Sequence, residues 1–202
     1  SEMCIRDSIK GVLWTKQPAS YNNLMRAIAL TKKDPTFMFV VDDHDVAARV
    51  QEAAAAAKVK ARVAVSVYAG LTRQGIANGK PALDLAQKIA TSKNISFEGY
   101  MAYSGYASHT HGWEARRKKS AEDLSGVNET VALSKKAGLE VKIVSGGSTG
   151  TYNMDHELGL TELECGSYVF MDSVYRKVGG KTNETVYTDF ENSMSIITTV
   201  DS

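Results

Sequence analysis

The chain has 202 residues, 43% of them apolar, enough for one large domain with a real core or one domain and part of another. Its charges nearly cancel, at net +1, which gives no ground for a nucleic-acid partner or a membrane surface. The two cysteines, Cys4 and Cys165, lie far apart and make no disulfide framework, so a reducing, cytoplasmic setting is expected; no signal peptide is visible, and no apolar run approaches the ~18 residues of a membrane span.

From Ile9 onward, apolar runs alternate with amphipathic stretches. Residues 11–15 read as a short buried strand. Residues 20–33 place Leu24, Ala27, Ile28 and Thr31 on one helical face, and Asp34-Pro35 ends that helix. Residues 36–41 are almost continuously apolar, as a strand covered on both sides requires. Asp42 or Asp43 can cap the next helix, whose stripe is Val46, Val50, Ala53, Ala54 and Ala57. A strand over 62–68 and a glycine-bearing loop follow. Pro81 opens a helix that turns Leu83, Leu85 and Ile89 inward. Residues 95–102 form another strand. Residues 114–137 form a long charged helix with Leu124, Val127 and Val131 on its apolar side and Gly138 as C-cap. A strand over 141–145 then runs into Gly146-Gly147. This alternation predicts an α/β fold with a parallel sheet and covering helices. Ligands then gather at the C-terminal ends of the strands.

The most informative strand end is Ser145-Gly146-Gly147-Ser148-Thr149-Gly150-Thr151. Bare amides and hydroxyls in a glycine loop are what a phosphate needs, although the same composition also makes ordinary turns. Thr161-Glu162-Leu163 and Gly166-Ser167-Tyr168-Val169-Phe170-Met171-Asp172 follow. Together the two stretches resemble the phosphate-binding end of the D-threonine aldolase and D-serine dehydratase family, whose members use pyridoxal 5′-phosphate (PLP) on an alanine-racemase-like barrel. The resemblance implies a partial (β/α)8 barrel over residues 9–172, roughly strands three to eight, with the last strand at 167–171. It implies a PLP phosphate facing the amides of Gly146, Gly147, Ser148, Thr149, Gly150, Gly166 and Ser167, with hydroxyls from Ser148, Thr149 and Ser167. Tyr168 and Asp172 would lie near the crossing to a second domain, Asp172 in a structural role.

Two further strand ends carry the resemblance. Gly70-Leu71-Thr72-Arg73-Gln74-Gly75-Ile76 is similar to the family's Gly-x-x-Arg-Cys-Gly-Val. Arg73 would lie near the cofactor's phenolic oxygen; read without the family, it is a solvated loop arginine. Gln74 replaces the usual cysteine, Tyr68 an aspartate and Ser66 a glutamate, which leaves substrate choice open. Tyr103, Gly105 and His109 match a second pattern, in which Ser108 replaces glutamine. Tyr103 is the candidate wall of the cofactor pocket, or else a core tyrosine. His109 and His111, with no third ligand in view, make a poor zinc site.

The resemblance places the Schiff-base lysine in an Arg-Pro-His-x-x-Lys motif on the first barrel strand, and no such motif occurs here. Lys16 follows a strand, but that strand matches the family's third, so Lys16 reads as an ordinary loop lysine. Residues 2–8 resemble the translation of a sequencing adapter, and native sequence is expected to begin near Ile9. Residues 173–202 are expected to be a linker and the start of a C-terminal β domain, with a strand over 190–200. The family's divalent-metal ligands (Mn, Mg or Zn) are expected only in a full-length parent. That parent would be a PLP-dependent carbon–carbon lyase acting on a small D-configured β-hydroxy amino acid such as D-threonine or 3-hydroxy-D-aspartate, and a homodimer is possible. The alternatives are a D-serine dehydratase and a non-catalytic phosphate-binding remnant. An opened barrel exposes long strand edges, so the chain alone is expected to be unstable or inactive.

Overall fold

A computed structural model describes residues 11–199. The expectations for residues 1–8, Cys4 included, and for Val200 lie outside the described residues.

Strand β1 (Leu13–Trp14) leads into helix α1 (Tyr21–Lys33), which Ser20 caps by accepting a hydrogen bond from the Asn23 amide. The buried residues of α1 are Leu24, Ala27, Ile28 and Thr31, the stripe expected from the spacing. Strand β2 (Met38–Val41) is buried along its whole length. Of the two aspartates that follow, Asp43 caps helix α2 (His44–Ala57), accepting from the Asp45 and Val46 amides. Asp42 instead accepts from the Gly75 amide at 2.9 Å, which ties down the loop that carries Arg73.

Strand β3 (Ala61–Ser66), helix α3 (Lys80–Ala90) and strand β4 (Ile95–Ala102) come next. Helix α3 buries Ala82, Leu85, Ala86 and Ile89, so Ala82 takes the place on the core face expected for the half-buried Leu83. After the single turn α4 (Gly105–Ser108), the long helix α5 (Trp113–Lys136) buries a largely polar face that includes Arg116, Ser120, Asp123 and Thr130 beside Leu124 and Val127. Strand β5 (Ile143–Gly146), the turn α6 (Tyr152–Asp155) and strand β6 (Glu162–Leu163) complete the series.

All six strands are parallel and lie in chain order, β1 to β6. Helices cover one face, where Phe37, Phe39, Val63, Leu85, Ile89 and Leu124 belong to the main core. On the other face Val40, Ala64 and Met101 form a smaller cluster with Leu13, Tyr103 and Ile143. This is the sheet of a partial (β/α) barrel. The ladder pairs Ser66 with Met101, Met101 with Ser145 and Ser145 with Glu162, so the loops after β3, β4, β5 and β6 emerge at one end.

The sixth strand does not run over 167–171. The ladder beside β5 is taken by Thr161, whose amide donates to the Val144 carbonyl, and by Glu164, whose amide donates to Gly146. Beyond it Ser167–Val169 winds as a 3-10 turn, because the Phe170 and Met171 amides turn back to the Ser167 carbonyl. Residues 172–190 are more than a linker. Met171, Tyr175, Val178 and Tyr187 form a second buried cluster against Tyr152 and Phe190. Residues 191–199, expected to open a strand, pair with no strand among the described residues, and Ile196 and Ile197 stand exposed.

Candidate active site

Two loops meet at the C-terminal ends of β5 and β6. The Tyr168 amide donates to Thr149 Oγ1 at 3.1 Å, which seats residues 166–168 against the glycine loop. Residues 146–150 are all buried. Gly147 has φ of +69°, a left-handed backbone that favours glycine. At Gly150 the reason for glycine is space: a Cβ there would lie 2.1 Å from the Ser108 carbonyl oxygen.

The peptide units of this loop are held through their carbonyls. The Gly146 carbonyl accepts from the Glu164 amide at 2.7 Å and the Ser148 carbonyl from the Thr151 amide at 3.0 Å. The Thr149 carbonyl accepts from the Tyr187 hydroxyl at 2.8 Å. No cis peptide occurs among the described residues, and in a trans unit the N–H points opposite the carbonyl. The Gly147, Thr149 and Gly150 amides are therefore turned away from these partners. Among the described residues those three amides, and those of Gly166 and Ser167, have no acceptor. A Cβ at Gly166 would meet no atom within 4 Å. Gly147, Thr149 and Gly150 are buried, where an amide without an acceptor is costly, while Gly166 and Ser167 are exposed and their amides are open to a ligand. These features fit a phosphate group.

The hydroxyls divide their work. Ser148 Oγ lies 2.8 Å from the Tyr175 hydroxyl, and Thr151 Oγ1 accepts from the Ser148 amide. Thr149 Oγ1 accepts from Tyr168 and so keeps its own proton to donate. Behind the loop Arg116 is fully buried, with Nε donating to the Gly150 carbonyl at 2.7 Å and its other nitrogens donating to Thr110, Val178 and Gly179 carbonyls. Burial holds the Arg116 pKa below its ordinary value. No ion pair to Arg116 occurs among the described residues, so a buried positive charge sits behind the loop balanced by carbonyl dipoles.

Arg73 and Tyr103 lie beside this loop system. The Arg73 guanidinium stands 5.6 Å from the centroid of the Tyr103 ring, a cation–π contact. With Ser66, Leu71, Gln74 and Met101 they line a small, open cleft. Tyr103 is half-buried, and burial, followed by the neighbouring Tyr175, raises its pKa. The Gln74 side chain donates to the Thr15 carbonyl at 3.0 Å and so braces the loop.

Glu164 is a further ionisable group here. Ser145 Oγ lies 3.0 Å from Glu162 Oε1 and 2.9 Å from Glu164 Oε1, but a hydroxyl has one proton to give. Burial pushes Glu164 up to about 7; Ser145 opposes that rise, the Glu162 charge adds to it and Arg73 opposes it.

Other candidates fall outside. Tyr168 contributes its amide, while its ring is exposed and packs 5.6 Å from Phe190. Asp172 accepts from the Val174 and Tyr175 amides, a structural task. Lys16 is exposed in the loop after β1. His109 packs on Tyr175 at 4.6 Å, and among the described residues no group of three His, Cys, Asp or Glu could hold a metal. No helix among the described residues is long and apolar enough to cross a membrane.

Residues 19–174 match the alanine racemase N-terminal domain. The chain belongs to that family. A 3-hydroxy-D-aspartate aldolase of Paracoccus denitrificans (strain Pd 1222) is 31% identical over 99% of this chain and 52% of its own length. A D-threonine aldolase of an Arthrobacter species is 30% identical over 79% of this chain and 41% of its own. The crystal structure of D-threonine aldolase from Filomicrobium marinum superposes with a TM-score of 0.86 at 28% identity, covering 95% of this chain and 50% of that one. The chain thus spans about half the length of the curated relatives it matches. Within this racemase-like domain, the glycine loop and Arg73 were visible in the sequence. Arg116, Tyr175, Tyr187 and Glu164 were not singled out, because a helix charge and scattered aromatics carry no distinguishing spacing.

Proposed function

We propose that this chain is the cofactor-phosphate half of a PLP-dependent lyase that cleaves the Cα–Cβ bond of a D-configured β-hydroxy amino acid. The row of amides without acceptors beside Arg73 and Tyr103 carries this reading, and the aldolase names of relatives at 30% identity and above support it. The loops of Gly146, Gly147, Ser148, Thr149, Gly150, Gly166 and Ser167 would hold the phosphate, through the Gly147, Thr149, Gly150, Gly166 and Ser167 amides and the Thr149 hydroxyl, with the Tyr168 amide fixing Thr149 Oγ1. Arg73 and Tyr103 would bound the ring end of the site. When bound, PLP supplies a sink for the electron pair released as the Cα–Cβ bond breaks.

The chain's own residues bind and orient. The loop amides meet the phosphate charge without needing a lysine, and the buried Arg116 guanidinium adds positive potential from behind. Tyr103, its pKa raised by burial, keeps its phenolic proton at neutral pH and remains a donor. The described residues offer no metal cluster, so a divalent ion would be held by other parts of the parent.

The test uses a full-length parent that carries this chain. Incubated with PLP and a divalent metal, it is expected to release glycine with acetaldehyde from D-threonine, or glycine with glyoxylate from 3-hydroxy-D-aspartate. Pyruvate and ammonia from D-serine, without aldehyde release, would overturn the aldol reading in favour of β-elimination. The 202-residue chain by itself is expected to form none of these products.

A further inference from the structure

The cradle is shaped partly by a residue that no motif marks. Tyr187 is fully buried, and its hydroxyl donates to the Thr149 carbonyl at 2.8 Å. That carbonyl shares a peptide unit with the Gly150 amide, one of the amides without an acceptor. Donation to the carbonyl fixes the plane of the unit and polarises it, which makes the amide a stronger donor on the opposite side. The unit has little freedom to turn otherwise, because Gly150 packs against the Ser108 carbonyl closely enough to exclude a methyl group.

Tyr187 is itself held in place. Its ring centroid lies 5.7 Å from the Arg116 guanidinium, and Arg116 also grips the Gly150 carbonyl at 2.7 Å. Burial raises the Tyr187 pKa, so its hydroxyl stays a donor across the working pH range. Nearby, Tyr175 meets Ser148 Oγ at 2.8 Å, and Asp189 accepts from the Tyr152 hydroxyl and the Asn153 side-chain amide at 3.2 and 3.0 Å. Segment 172–190 therefore backs the glycine loop from Ser148 onward.

We propose that Tyr187 is a positioning residue for phosphate binding: from behind the loop, it aims and strengthens the Gly150 amide as a donor to the anion. This role rests on the phosphate reading of the site. Recognition of the phosphate then depends on a tyrosine that never touches it, in a segment whose sequence reads as a linker.

The test compares a PLP-free full-length parent that carries this chain with its Tyr187→Phe variant, which keeps the ring and removes the donor. Pyridoxine 5′-phosphate, which has no aldehyde to react with lysines, and unphosphorylated pyridoxine serve as probes in calorimetric titrations. The variant is expected to bind the phosphate ester about tenfold more weakly, because the Gly150 amide, no longer aimed and polarised, makes a poorer charge-assisted hydrogen bond to the anion, while pyridoxine binding is unchanged. A merely structural role would weaken both probes alike. Equal ester affinity in the two proteins, or parallel loss of both probes, overturns the role while leaving the phosphate reading intact. If the wild-type parent binds no ester, the phosphate reading itself falls and this role falls with it. If the variant does not fold, the wild-type Gly150 amide proton decides: a downfield shift on adding the ester that exceeds those of the Gly147 and Thr149 amides supports the role, and an equal, smaller or absent shift overturns it.

Discussion

Two glycines of the cradle should respond to the same substitution with different changes in stability and a shared loss of affinity. In Gly150→Ala the new methyl would lie 2.1 Å from the Ser108 carbonyl oxygen and 3.0 Å from its carbon. Favourable contacts need about 3.5 Å, so the loop must move by more than 1 Å. Both obstructing atoms are backbone, and no rotamer change relieves the clash. Such overpacking costs about 1–3 kcal/mol. A shift of that size also stretches the Arg116–Gly150 and Tyr187–Thr149 hydrogen bonds, now 2.7 and 2.8 Å, past useful length. Phosphate-ester affinity is expected to fall at least tenfold, about 1.4 kcal/mol or more. In Gly166→Ala the methyl meets no atom within 4 Å, and φ −132° with ψ −44° is open to an L-residue. Stability should stay level or rise by about 0.4–1 kcal/mol, since the unfolded chain loses freedom. The methyl nevertheless enters the space beside the Gly166 and Ser167 amides, so ester affinity should drop about tenfold. Urea unfolding followed by circular dichroism gives the stabilities, and titration with pyridoxine 5′-phosphate gives the affinities. Wild-type ester affinity in Gly166→Ala would refute the placement of the anion. Unchanged stability and affinity in Gly150→Ala would refute the tight packing of the loop.

Glu164 sets a pH dependence. Its folded pKa of about 7 lies above the reference value of 4.5, so between those values the folded chain holds more protons than the unfolded one. Its contribution to stability is therefore present below pH 4.5 and lost as pH rises through 7. Urea midpoints of the Glu164→Gln variant should lose that decline and exceed wild type at pH 8; parallel curves would count against the burial. Arg116→Met should destabilise by about 3 kcal/mol or more, because carbonyls of Thr110, Gly150, Val178 and Gly179 lose their donor. A loss below about 1 kcal/mol in urea unfolding would contradict that anchoring. Phe39→Ala, at a fully buried position of β2, should cost about 3–5 kcal/mol by the same assay.

The helical periodicities were legible because burial follows spacing. Leu24, Ala27, Ile28 and Thr31 in α1 and Val46, Val50 and Ala54 in α2 are buried as the stripes require. The final strand was misplaced for a physical reason. Residues 167–171 have the β-branched and aromatic composition of a strand, but backbone pairing goes to whichever residues reach the free edge of β5, and those are the unremarkable 161–164. Val169 and Phe170 are left more than half exposed. In the site, glycine and hydroxyl composition marked the loop itself. Arg73 and Tyr103, thirty residues apart, were joined only through a family resemblance, and the structure brings them into contact. The backing groups were invisible. Arg116 lies among the charges of a helix whose exposed face has the same composition, and Tyr187 follows a polar run, Lys181-Thr182-Asn183-Glu184-Thr185, that reads as solvent-exposed. Their burial depends on residues 172–190 folding back over the glycine loop, a long-range packing choice with no local signature.

A crystal structure of the chain soaked with pyridoxine 5′-phosphate tests the central claim most directly. Phosphate oxygens within about 3 Å of the Gly147, Thr149, Gly150, Gly166 and Ser167 amides, with the ring toward Arg73 and Tyr103, are the predicted result. An ester bound elsewhere on the molecule, with those amides facing only water, would contradict it.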